Sequence, residues 1–310
     1  MRSGCAILLN LRSRTLQKNP RRIDRIRTAF GNRGPVLLPR DLSELPTAIS
    51  ELQRARPEFF FVCGGDGTIH QTITALVHGY GDDPLPKIVI LPAGTMNTID
   101  RGLNGSGDPL CRIERIVAHI DQELPLSSIR RHPIALNDRY GFIFAVGGFA
   151  SFIERYSAVP VPTPQRAIAM LTRISVSSLI GGSYAKELFP MFQASLRIDG
   201  QELPTEGVTT VSASAIRHLG FGFRPFPGAE GGDGAFGFLV LTDSPRAFLP
   251  HLCRLYRGKP IESPTLRQEV ARELVIRTDR EIVSMADGEL FPPRKEFTLR
   301  VGPALDFVTG

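Results

Sequence analysis

The sequence predicts a two-part α/β chain: an open parallel-sheet α/β nucleotide-binding domain, then an antiparallel β domain. Three observations carry this. Strand-like runs in the first part alternate with helix-patterned segments and are apolar almost throughout, as parallel strands covered on both faces are. Beyond about residue 127 the texture changes to short strand-like runs separated by glycine, proline and aspartate. At 310 residues the chain is long enough for two cores. The expected domains are 1–128 and 129–310, with the extreme C-terminus packing back on the first.

Each element has a local reason. Cys5 to Leu9 is an apolar strand ending at Asn10. Arg21 to Phe30 sets Ile23, Ile26 and Phe30 among arginines, an amphipathic helix. Val36 to Leu38 reads as a short strand, and Leu45 to Ala55 as a helix stopped by Pro57. Phe59 to Val62 is a buried strand, a helix follows to about Val77, and Lys87 to Leu91 is a further strand. In the second part, strands are expected at Phe142 to Val146, Gln193 to Ile198, Thr209 to Ala213, Phe236 to Thr242, Glu273 to Arg277 and Phe297 to Val301. Helices are expected at Pro164 to Ile180 and near Pro245 to Tyr256.

The strand at Phe59 stops abruptly at Gly64-Gly65-Asp66-Gly67-Thr68 and passes into a helix. A strand, a glycine-rich turn and a helix start present bare backbone N–H groups, a recipe for holding phosphate. A carboxylate among those glycines is repelled by phosphate when alone, so Asp66 makes sense with a magnesium ion or with a proton to remove. A second strand runs into Pro92-Ala93-Gly94-Thr95-Met96-Asn97, again a glycine and a hydroxyl at a strand end. Ligands in open α/β sheets sit beyond the carboxyl ends of strands. If the two strands are neighbours, both turns face one crevice, where Thr68, Thr95 and Asn97 supply hydrogen bonds. Far downstream lies Asp287-Gly288-Glu289, a pair-plus-acid that in isolation reads as a tight hairpin turn.

The order of a G-G-D-G-T turn, a P-A-G-T-x-N turn and a late D-G-E resembles the diacylglycerol kinase catalytic domain family, which includes bacterial lipid kinases and sphingosine and ceramide kinases. Tyr140 to Ala150, Pro227-Gly228-Ala229 with Asp233-Gly234, and Val301-Gly302-Pro303 are also similar to it. The resemblance implies an ATP-binding α/β domain, a C-terminal β-sandwich domain, and ATP and magnesium as cofactors. It implies that Asn10, Gly64, Gly65, Asp66, Gly67, Thr68, Gly94, Thr95 and Asn97 bind nucleotide. Glu289 matches the family's acid, Asp66 its metal ligand or base, and Asp233 one ligand of a structural metal site. Glu289 as base with Asp66 positioning the metal is the assignment adopted, and the reverse stays open. The chain departs from the family pattern at Leu11 and Arg14 (for proline and glycine), Gln71 (for glutamate), Thr98 (for aspartate) and Phe144 (for asparagine). Gly231, Gly232 and Gly237 replace polar residues around the expected metal loop.

The implied function is an ATP-dependent lipid kinase acting on a hydroxyl of diacylglycerol or a related lipid. The rivals are an NAD kinase, suggested by Ala135-Leu136-Asn137-Asp138, and a non-catalytic nucleotide- or lipid-binding regulator. A net charge of +6 favours acidic partners. Scattered cations without a recognition element exclude a nucleic-acid protein. Four cysteines, Cys5, Cys63, Cys111 and Cys253, fit no zinc spacing. No signal-like segment is visible, so a cytoplasmic protein is expected, with membrane contact peripheral to the inner face. A homodimer is compatible with the sequence. The segment Thr163 to Gly182, with Arg166 and Arg173 among apolar residues, reads either as an interfacial helix or as one packed on its own sheet. Phe221, Phe223 and Phe226 either line a lipid entrance or form a bent β loop. His70, beside Thr68, is a second candidate base.

Overall fold

The computed structural model describes residues 4–105, 107–159, 163–219, 223–229 and 234–309. It divides into two compact units, Met1–His132 with Pro303–Gly310, and Pro133–Gly302.

The first unit holds strands β1 (Cys5–Leu9), β2 (Val36–Leu37), β3 (Phe59–Gly64), β4 (Lys87–Pro92) and β5 (Ser128–Arg131). Its helices are α1 (Arg14–Lys18), α2 (Arg21–Phe30), α3 (Leu45–Ala55), α4 (Asp66–Tyr80), α5 (Thr98–Gly102) and α6 (Pro109–Asp121). The sheet order is β2-β1-β3-β4, parallel throughout, followed by the chain's last strand, Leu305–Val308, and then β5. That last strand runs parallel to β4 and antiparallel to β5.

Every residue of β1 and β3 is buried, which follows from helices on both faces. Ile7, Leu9, Phe61, Cys63, Val89 and Leu91 share one core with Leu16 of α1, Ile26 and Phe30 of α2, and Ile113 and Ile116 of α6. Phe30 meets Phe61 edge to face at 5.8 Å. The alternate strand positions point to the opposite side, where α3 and α4 bury Ile49, Leu52, Ile69, Ile73 and Leu76. Because β2 and β3 flank β1 on opposite sides, the chain direction across the sheet reverses there. The carboxyl ends of β1 and β3 therefore form the switch point at which such sheets bind ligands.

The second unit contains β6 (Ile134–Leu136), β7 (Arg139–Gly141), β8 (Ile143–Gly147), β9 (Ala194–Ile198), β10 (Gln201–Leu203), β11 (Thr210–Ser214), β12 (Phe236–Leu241), β13 (Leu266–Ala271), β14 (Glu273–Ala286) and β15 (Glu289–Val301). The strand Leu305–Val308 of the first unit is β16. The order is β13-β12-β11-β8-β14-β15-β6-β7, with β9 pairing β14 and β10 pairing β9, all antiparallel. β14 changes partner along its length. Leu274 to Thr278 pairs with β9, and Ser284 to Ala286 pairs with β8, with register shifts between the two halves. Bulges there bend the long β14–β15 hairpin and let one strand serve both parts of the sheet.

Helices α7 (Gly148–Ser157), α8 (Pro164–Leu179), α9 (Ser183–Leu188) and α10 (Leu252–Arg257) accompany this sheet. Phe152, Ala167, Ile174, Leu188 and Leu255 from them form a core with Leu239, Leu241 and Leu266. The expected helix near Pro245 begins as a 3-10 stretch, Pro245–His251, and becomes α-helical only at Leu252. Pro250 lacks the N–H that a continuous α-helix needs there.

Candidate active site

The two glycine turns lie in the first unit and touch. A Cβ on Gly65 would stand 3.1 Å from the Gly94 Cα, and one on Gly94 would stand 2.7 Å from the Gly65 Cα and 2.9 Å from Asn97 Oδ1. Only glycine permits this approach. It places the N-terminus of α4 beside the turn that follows β4. Gly64 completes the packing, because a Cβ there would meet the Thr68 side chain at 2.4 Å.

Polar contacts fix the rest. Asn10, at the end of β1, donates from Nδ2 to Thr68 Oγ1 at 2.7 Å and accepts from the Arg12 N–H at 2.9 Å. Asn97 stands at the N-cap of α5 with φ +48, and its Oδ1 turns back to accept the Gly94 N–H at 2.9 Å. Capping of α5 therefore passes to another residue. Asp66 accepts the N–H groups of Thr98 and Ile99, each at 3.0 Å, one on each carboxylate oxygen. Asp66 thus ties the first turn to the helix after the second. A carboxylate at the meeting of the two turns is the kind of oxygen ligand that a hard cation takes. Thr95 is exposed at the turn, and Gly67 is the second residue of α4. His70 is fully buried on α4, which places it in the core.

The loop after β1 and the start of α1 together reach both turns. Thr15 donates its N–H to the Ala93 carbonyl at 3.2 Å, and its hydroxyl lies 3.5 Å from the Gly94 carbonyl. Ser13, between Asn10 and Thr15, is buried, and its hydroxyl has no hydrogen-bond partner among the described residues. Ser13 and Thr15 are not among the expected site residues; the Asn10-x-x-Ser13 spacing is the signal that marks the loop. Behind the site, Arg112 of α6 grips Asp100 of α5 through its Nη1 and Nη2, at 2.5 and 3.2 Å, and donates from Nη1 to the Ile90 carbonyl at 2.7 Å. Both partners are buried, so α5 is anchored at its far end as well as at its cap.

In the second unit, Asp287-Gly288 is the two-residue turn joining β14 to β15, with φ +49 and +87. Unlike a surface turn, it is locked inward. The Asp287 carboxylate accepts the N–H of Phe142 at 3.0 Å and of Ile143 at 2.8 Å, and its own N–H donates to the Ile143 carbonyl at 2.9 Å. Glu289 opens β15 at this fixed tip, half-buried. The position read as an asparagine site in the resemblance holds Phe144, which packs on Phe297 at 5.8 Å. Asn137-Asp138 is the turn of the β6–β7 hairpin, closed by the Leu136–Arg139 pair. Phe226 is core and Phe223 packs edge to face on Tyr256. Asp233, Phe221, Gly231 and Gly232 lie outside the described residues, and no cluster of metal-ligating side chains occurs among those described.

Residues 7–129 match the diacylglycerol kinase catalytic domain, and residues 174–305 match the YegS C-terminal NAD kinase beta sandwich-like domain. A protein named diacylglycerol kinase from Staphylococcus haemolyticus is 26% identical over 240 residues, covering 75% of this chain and 65% of that protein, a little under two thirds of its length. Its namesake from Staphylococcus aureus is 26% identical over 253 residues, covering 78% of this chain and 72% of that protein. The crystal structure of a diacylglycerol kinase from Bacillus anthracis superposes with a TM-score of 0.67 at 14% identity, covering 99% of this chain and 97% of the other, a likeness of fold. The two domain matches tile most of the chain in this order: a stretch similar to the diacylglycerol kinase catalytic domain, then one similar to the YegS C-terminal NAD kinase beta sandwich-like domain.

Proposed function

We propose that the protein is an ATP- and magnesium-dependent lipid kinase that transfers the γ-phosphoryl group to a hydroxyl of diacylglycerol or a related lipid. The observation that carries this is the Gly65–Gly94 contact, which assembles two glycine turns and Asn10 at the sheet's switch point. Phosphoryl transfer needs positioning and charge neutralisation more than covalent help. The first N–H groups of α4 supply both for the nucleotide phosphates, with Thr68, Thr95 and the Ser13 hydroxyl as further donors.

Asp66 is the residue suited to hold magnesium, since Mg²⁺ is usually bound by one or two carboxylates together with substrate phosphates. Bound there, the ion would neutralise the terminal phosphates. Because Asp66 is committed to the α5 amides, it serves positioning, and Glu289 is left to accept the proton of the attacking hydroxyl. Such a base contributes roughly 10²–10⁴-fold. The relatives' names support diacylglycerol as acceptor, and a substrate of that kind implies work at a membrane surface.

Labelled ATP offered to the purified protein with a lipid panel and NAD side by side tests the proposal. Label is expected in a lipid product, and Glu289→Gln is expected to lose turnover while keeping ATP binding. Labelled NADP, or ATP binding without any phosphorylated lipid, would overturn it.

A further inference from the structure

No helix among the described residues is long and apolar enough to cross a membrane, yet α8 leaves part of its apolar surface uncovered. Ile168, Val176, Leu179 and the following Ile180 are 54%, 52%, 59% and 78% exposed. At 3.6 residues per turn they fall within an arc of about 120°. Ala167 and Ile174 lie on the other side of the helix and are buried against the second unit's core. The helix therefore packs on its own unit through one face and offers a second apolar face to the outside.

The charges on α8 itself have one sign. Arg166 and Arg173 project at the margin of the apolar arc, and α8 contains no aspartate or glutamate. The 3-10 stretch Pro245–His251 packs against α8 and leads into α10. From 245 to 259 the chain carries exposed Arg246, Arg254, Arg257 and Lys259, again without an acid. Leu252 and Tyr256 are exposed on the same segment. A second copy of the chain would set like charge against like here, whereas an anionic bilayer accepts both features: apolar side chains enter below the headgroups and the cations pair with phosphates.

We propose that the exposed face of α8, with the adjoining segment 245–259, docks the protein onto anionic membrane surfaces. This deepens the lipid-kinase reading and rests on it for its purpose, since a substrate confined to a bilayer requires an enzyme seated on one. The contact itself needs no catalysis, so the two ideas fail separately.

The test is co-sedimentation of the full chain with phosphatidylglycerol-containing vesicles that hold no diacylglycerol, against pure phosphatidylcholine vesicles, at low and high salt. Wild type is expected to pellet with the anionic vesicles, less so at high salt, and to stay in solution with the neutral ones. Leu179→Ser/Ile180→Ser is expected to weaken partition about tenfold, and Arg246→Glu/Arg257→Glu by at least about fivefold per cation lost. Both variants should keep wild-type ATP binding and wild-type phosphorylation of a water-soluble short-chain diacylglycerol. Wild type that ignores anionic vesicles would overturn the docking proposal and leave the face to a protein partner. Variants that bind as tightly as wild type would overturn it too. Vesicle binding with no phosphorylation of the short-chain lipid would instead support docking while removing the kinase reading.

Discussion

Asp287 fixes the tip of the β14–β15 hairpin, and replacing it has a consequence that can be worked from its contacts. Its carboxylate receives two backbone N–H groups at 2.8 to 3.0 Å, and Phe142, one of the donors, is fully buried. Removing the carboxylate in Asp287→Ala leaves both donors unsatisfied, at about 1–3 kcal/mol each. Alanine also fits poorly at φ +49, adding roughly 1–2 kcal/mol. The sum, about 3–8 kcal/mol, approaches the whole stability of a typical domain. Asp287→Gly keeps the turn and loses only the carboxylate, so the alanine–glycine difference isolates the strain. Asp287→Asn keeps one acceptor oxygen and loses the charge, a cost of about 1–2 kcal/mol. Hydrogen exchange at the Phe142 and Ile143 amides reads this directly, because each 1.4 kcal/mol is about tenfold in an equilibrium constant. Protection should fall in the order wild type, Asn, Gly, Ala, with Asn about five- to thirtyfold below wild type. Equal protection in wild type and Asp287→Gly would refute the anchoring role, and with it the idea that Glu289 sits on a rigid support.

Three further outcomes follow from buried or paired groups elsewhere in the chain. Arg112→Met should destabilise the protein by about 3–5 kcal/mol, because it strands the buried Asp100 charge, and adding Asp100→Leu should restore most of the loss; urea titration of the single and double variants checks this. Burial pushes the Cys63 thiol up to about 12 and the Cys5 thiol up to about 11, while Cys111 and Cys253 are exposed, so iodoacetamide at pH 8 should label only the last two, read by mass spectrometry. The hydrogen bond from Arg130 holds the Asp306 carboxyl below its ordinary 3.8. Its contribution is present above that value and is lost as pH falls through the lower folded value, so the stability difference between wild type and Asp306→Asn should shrink on acidification.

The fold was legible where periodicity and burial agree. The apolar runs of β1, β3 and β4 announce parallel strands, and the glycine turn after β3 opens a helix as its pattern requires. Other features depend on partners remote in sequence. The Gly147–Gly148 step reads as a turn, yet α7 starts within it, because Gly147 adopts φ +72 under the Thr209 carbonyl. Asp287 reads as a solvent-facing turn residue; its amide partners lie 144 and 145 positions upstream. Asn97 stands at the N-cap of α5, but its side chain is drawn to Gly94 and Asp66 takes over the capping from 32 and 33 positions away. Motif residues could be named in advance. Which hydrogen bonds they make could not, since those depend on how β3 and β4 align. The long β14 was glimpsed only as its first five residues, because the bulged half loses clean alternation.

The account turns on two glycine turns forming one phosphate site, and ATP affinity of Gly94→Ala measures this most directly. A Cβ at that position would press within 2.7 Å of the Gly65 backbone, forcing the turns apart without removing any charged group. Equilibrium dialysis should show ATP binding weakened at least about tenfold, the loss of one charge-assisted phosphate hydrogen bond, in a protein that still folds but is less stable by about 1–3 kcal/mol because the clash is with backbone. Unaltered affinity in a folded Gly94→Ala protein would contradict the assignment of these turns to the nucleotide.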